Sequence, residues 1–117
     1  MTEYVVLIPG NEATWDGASP EDKQAMYAKH QEFSELLAER GHKITGGHEL
    51  TRSNTAHIVS GSRDAITVTE GPYAESVEQL TGFYLVQSDD LDDLLKVVGV
   101  LAEAGGQLEV RACVDHS

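Results

Sequence analysis

The chain reads as one α+β domain, a single sheet with two helices on the same face. Three observations predict it. The length of 117 residues is that of an ordinary single domain of about 100 to 150 residues, enough for one core and too little for two. Two segments carry apolar residues at helical spacing, each with a capping signal before it and a glycine after it. Around them lie short β-prone runs, in the order strand, helix, hairpin strands, strand, helix, strand.

Tyr4-Val5-Val6-Leu7-Ile8 is a continuous apolar run closed by Pro9-Gly10, the pattern of a strand buried on both faces at the centre of a sheet. Ser19-Pro20-Glu21-Asp22 places a capping hydroxyl before a proline at the first helical position, with acids where the helix dipole favours them. A helix is predicted from about residue 20 to Arg40, with Met26, His30, Phe33 and Leu37 as its buried stripe and Gly41 as its left-handed stop.

Ile44 to Thr69 is β-like. Gly46-Gly47 and Arg52-Ser53-Asn54 read as turns, and Ser60-Gly61-Ser62-Arg63 separates the runs Ala56 to Val59 and Ala65 to Val68, so a small antiparallel meander is expected. Glu70-Gly71-Pro72-Tyr73 breaks regular structure, and a polar loop through Glu78 leads to the strand Gly82-Phe83-Tyr84-Leu85-Val86. Ser88-Asp89-Asp90 caps a second helix whose stripe is Leu91, Leu94, Leu95, Val98 and Leu101, ended by Gly105-Gly106. Leu108-Glu109-Val110-Arg111 alternates as a strand with one buried face. This order fits the split β-α-β layout called ferredoxin-like, with both helices on one sheet face. The other face needs cover, and a second copy of the sheet is the simplest one, so a two-fold dimer is expected.

Composition excludes several classes. Twenty acidic against eight basic residues give a net charge of -12, which repels a phosphate backbone and an anionic membrane surface. No apolar run approaches the roughly 18 to 20 residues that span a bilayer, and the N-terminus lacks the pattern of a secretion signal, so a soluble, cytoplasmic protein is expected. Cys113 is the one cysteine, which rules out an internal disulfide and a Cys-x-x-Cys motif. Zincin, α/β-hydrolase, P-loop and Rossmann signatures are absent. His30, His42, His48 and His57 lack a metal spacing, and neither metal nor other cofactor is predicted.

His30 is the leading candidate for chemistry, because an imidazole titrates near neutral pH and exchanges protons with a bound molecule. The ordinary role of a lone histidine on an apolar helix face is structural. Glu70, in the glycine-proline loop, is the candidate acid partner, with Asp64 as another carboxylate in reach of the same argument. Trp15 and Tyr73 are candidates for an aromatic wall, although large aromatics more often pack a core or a dimer seam. Arg111 and Arg52 are weak anion-binding candidates, a surface pair with a neighbouring glutamate being the commoner fate. Glu12 follows the first strand beside a presumed cleft and stays outside the catalytic set.

Gly10 to Trp15, His30 with Phe33, Gly46-Gly47 with Leu50, Thr69 to Glu75, Gly82-Phe83-Tyr84 and Glu109-Val110-Arg111 together resemble the DGPF branch of the YCII-related family. The match runs in order over nearly the whole chain. It departs from the Asp-Gly-Pro-Phe motif in Glu70 and Tyr73, and the glutamate reaches one methylene further. The resemblance implies a dimeric α+β barrel and, in that family, a suspected site of a histidine paired with an acid, which would be His30 with Glu70. Two functions follow as expectations. One is a cofactor-independent enzyme using that pair for acid–base chemistry on a small organic molecule, and the other is a non-catalytic ligand-binding or transcription-associated accessory dimer. Fold resemblance alone does not choose between them.

Overall fold

A computed structural model of the chain describes residues 1–72 and 76–117. The described residues form six strands, β1 (Thr2–Asn11), β2 (Lys43–Glu49), β3 (His57–Ser62), β4 (Ala65–Glu70), β5 (Glu78–Ser88) and β6 (Glu109–Ala112), and three α-helices, α1 (Glu12–Asp16) and α2 (Pro20–Glu39) between β1 and β2, and α3 (Leu91–Ala102) between β5 and β6. Four strands form one sheet in the order β2-β5-β1-β6, all pairings antiparallel. That order, with two long helices crossing between strands, is the ferredoxin-like arrangement expected from the sequence. No helix among the described residues is long and apolar enough to cross a membrane.

The caps lie where their chemistry places them. Ser19 accepts a hydrogen bond from the Asp22 amide at 3.1 Å, Pro20 begins α2, and Gly41 ends it at φ 83° while the His42 amide bonds back to the Leu37 carbonyl at 2.9 Å. The cap of α3 is Asp90, which accepts from the Asp93 amide at 3.1 Å, whereas Ser88 belongs to β5 and is buried.

Val6, Phe33, Leu37, Val86, Leu94, Val97, Val98, Val100 and Leu101 form the core, with Tyr4, Ile8, Tyr84 and Val110 against it. Period-two alternation then puts Val5, Leu7, Phe83 and Leu85 on the opposite face, in register as Val5 with Leu85 and Leu7 with Phe83. Neither long helix covers that face. Hence β1 is interior to the sheet as predicted, but of its residues only Val6 is fully buried rather than both faces. Leu91 and Leu95, expected in the α3 stripe, stay 40% and 45% exposed. At 100° per residue they fall to one side of the face carried by Leu94, Val97, Val98 and Leu101.

Two more expectations change. The span from Ile44 to Thr69 is not one meander, because β2 joins the main sheet and β3 with β4 makes a separate two-stranded ribbon. Gly46-Gly47 is not a turn but the bulged part of β2, where the register shifts between Ile44 and Gly46.

Candidate functional site

The helix side of the sheet brings His30 of α2 over Tyr84 of β5. Tyr84 is opposite Val6 on one neighbour and Gly47 on the other. A Cβ on Gly47 would approach the Tyr84 Cα to 3.0 Å and the Phe83 carbonyl oxygen to 2.5 Å, so the glycine is what lets β2 lie this close to the tyrosine. Phe33 backs the phenol ring at 5.0 Å between centroids, and the His30 ring stacks on it at 5.8 Å and 29°. The Tyr84 hydroxyl is 2.7 Å from His30 Nδ1. Among the described residues Nε2 makes no hydrogen bond.

Burial pushes the His30 imidazole below its usual 6.5, against the opposing pull of the Glu49 carboxylate. Burial also pushes the Tyr84 phenol above its usual 10. Glu49 ends β2 opposite Gly82 and accepts from the Tyr27 hydroxyl at 3.2 Å. Tyr27 in turn meets Trp15 edge-on at 5.7 Å, and the Lys23 ammonium stands 5.5 Å over the indole ring. About two turns of α2 therefore present Lys23, Tyr27 and His30 along one side.

The candidates read from sequence separate. His30 and Trp15 belong to this cluster. Glu70 is exposed at the end of β4, in register with His57, and shares no hydrogen bond with His30, whose polar partner is Tyr84 and whose charged neighbour is Glu49. Asp64 occupies the hairpin turn between Ser62 and Ala65. Tyr73 lies outside the described residues. Arg111 is an exposed side chain 3.5 Å from Glu109, and Arg52 pairs with Asp16. Tyr84, Tyr27 and Glu49 are the residues that sequence reasoning missed. Tyr84 was read only as part of the strand from Gly82 to Val86, and nothing in a linear reading pairs it with a histidine 54 positions away.

A second feature is an open cleft of about 810 Å³ where β1, the segment after β2 and the start of β5 converge, lined by Asn11, Glu12, Asp16, Arg52, Ser53 and Val77 among others. Its charges are already engaged. Glu12 accepts from the Ser53 amide at 2.7 Å and from its hydroxyl, which holds the Glu12 carboxyl below the usual range, and Arg52 does the same for Asp16.

A third cluster joins the other end of the sheet to the helices. His42 is buried, with Nδ1 2.8 Å from the Ser88 hydroxyl and Nε2 2.8 Å from Asp93. Arg40 clamps the same carboxylate through Nε at 3.0 and 2.9 Å. Hydroxyl, imidazole and carboxylate here match the composition of a nucleophilic triad. Ser88, however, is 1% exposed and its oxygen is already bonded to the Asp90 amide and carbonyl at 3.0 and 3.1 Å. No substrate reaches it, and the cluster is a structural latch. Among the described residues no three His, Cys, Asp or Glu side chains converge as a metal site would require.

Comparison with known proteins fits this fold. The model of the YCII-related domain matches residues 2–112. An uncharacterized protein, R00369, of Rhizobium meliloti (strain 1021) is 30% identical over 111 residues, covering 92% of this chain and 89% of that protein. The chain belongs to the YCII-related family.

Proposed function

We propose that this YCII-related protein pairs with a second copy of itself and carries out cofactor-free acid–base chemistry on a small organic molecule at His30. The observation that carries the reading is the 2.7 Å contact of Tyr84 with His30 Nδ1 on a half-buried ring whose Nε2 has no hydrogen-bond partner among the described residues. Burial keeps the imidazole neutral at pH 7, so it holds one N–H and one lone pair. If the tyrosine hydroxyl donates to Nδ1, then Nε2–H donates a hydrogen bond to a developing oxyanion. With the proton on Nδ1 instead, donated to the phenol oxygen, Nε2 takes a proton from the substrate. In either direction Tyr84 fixes the ring, and in the second Glu49 favours the imidazolium that forms. Trp15 and Tyr27 supply aromatic surface beside it. The half-buried face of Val5, Leu7, Phe83 and Leu85 supports the pairing of copies.

The open cleft favours a second reading, a ligand-binding accessory without catalysis, because its lining excludes His30 and its charged groups are held by one another. Screening aromatic and carbonyl-bearing compounds by NMR separates the two. Binding that shifts His30 and Tyr84, with turnover of a hit abolished in His30→Ala, is the expected result. Shifts confined to Asn11, Arg52 and Ser53, without turnover, would move the function to the cleft.

A further inference from the structure

The β3–β4 ribbon leaves the body of the molecule. Its two strands pair with each other from His57–Glu70 to Ser62–Ala65, and their principal contacts are mutual. An isolated two-stranded ribbon is marginal in water and needs a third surface to persist. One face of it is apolar and open. Val59 pairs with Val68 and Gly61 with Ile66, and Val59, Ile66 and Val68 are 62%, 56% and 51% exposed. Three β-branched side chains in one stripe are the kind of surface that soluble proteins cover.

The shape shows that the chain does not cover it from within. The radius of gyration is 16.3 Å, against about 13 Å for a compact chain of this length, and the molecule is 49 by 45 Å in outline but 17 Å thick. At about 3.3 Å per residue each six-residue strand makes an arm about 20 Å long, enough to cross a body of that thickness. Charge points to the occupant. The whole chain carries -12, which repels a second copy almost everywhere, whereas residues 56–71 hold one basic side chain, Arg63, against Asp64 and Glu70. The arm, at a net -1, is thus a region where an equally acidic copy meets little repulsion.

We infer that the β3–β4 ribbon is an arm that grips a second copy of this chain, with Val59, Ile66 and Val68 as its buried contact. This rests on the self-association proposed above and names the element that holds it. A second copy is present whenever the chain is, as a ribbon with no internal support requires, and two-fold symmetry makes each arm both clasp and be clasped.

Sedimentation equilibrium over the micromolar range tests it with three full-length proteins. They are the natural chain, an arm variant Val59→Thr/Val68→Thr that keeps β-branched shape, and a sheet-face variant Val5→Thr/Leu85→Thr, each checked for native circular dichroism. The natural chain should weigh twice 12.7 kDa, and the arm variant should dissociate with its constant raised roughly a hundredfold or more, because each substitution counts twice in a symmetric pair. A dimer that the sheet-face variant weakens and the arm variant leaves intact overturns the arm while sparing the pairing. A natural chain that stays monomeric overturns both. If either variant misfolds, exchange of the Val59 and Val68 amides in the natural chain decides. Protection that fades on dilution supports the arm, and protection independent of concentration overturns it.

Discussion

His42 and Asp93 meet at 2.8 Å, joining the residue just past the end of α2 to the first turn of α3. Arg40, two residues before the histidine, holds the same carboxylate, so one acid fastens both helices at a single point. These contacts, Arg40 first and His42 second, hold the Asp93 carboxyl well below the usual carboxylate range. A carboxylate depressed on folding contributes stability that is complete above its unfolded pKa of about 3.9 and is lost as pH falls toward the lower folded value. Urea unfolding from pH 7 to strongly acid conditions should show the natural midpoint falling below pH 4, with Asp93→Asn less stable at pH 7 and flatter in acid. Parallel curves would remove this latch from the account.

Phe33 is fully buried and supports both the core and the Tyr84 ring. Phe33→Ala should cost about 3–5 kcal/mol, a large share of the roughly 5–15 kcal/mol of a typical domain, and should loosen Tyr84. Chemical denaturation gives the first number, and line broadening of the Tyr84 ring signals reports the second. A loss under about 1 kcal/mol would mean that the core re-forms around the gap.

Glycine substitutions in β2 and α3 should act with opposite sign. Gly47 has φ 143° and no room for a Cβ, so Gly47→Ala should destabilise by about 1–3 kcal/mol from backbone strain alone, with the clash added. Gly99 lies within α3 with nothing within 4 Å of an added Cβ, and Gly99→Ala should stabilise by about 0.5–1 kcal/mol. Thermal melts of the two variants should move in opposite directions.

Local chemistry made much of the fold legible. Ser19, Pro20 and Gly41 mark both ends of α2, and Met26, His30, Phe33 and Leu37 mark its inner face, because capping and helical spacing act within a few residues. Gly46-Gly47 misled for the same reason. Two glycines read as a turn unless the close approach of Tyr84 from a strand far along the chain is known. The short helix α1 carries no apolar period to reveal it, since five residues make little more than one turn. His30 was legible as a candidate, whereas its partner was not. The pairing depends on the registers Gly47 to Tyr84 and Glu49 to Gly82, which a bulge near Thr45 sets and no nearby residue announces.

The proposed chemistry rests on a neutral His30 tied to Tyr84 and biased by Glu49. The imidazole titration of His30 by NMR, in the natural protein, Glu49→Gln and Glu70→Gln, tests that most directly. The value should lie below 6.5 in the natural protein, fall further in Glu49→Gln because the carboxylate raises it, and stay unchanged in Glu70→Gln. A value at or above 6.5, or one that moves with Glu70 and ignores Glu49, would contradict it.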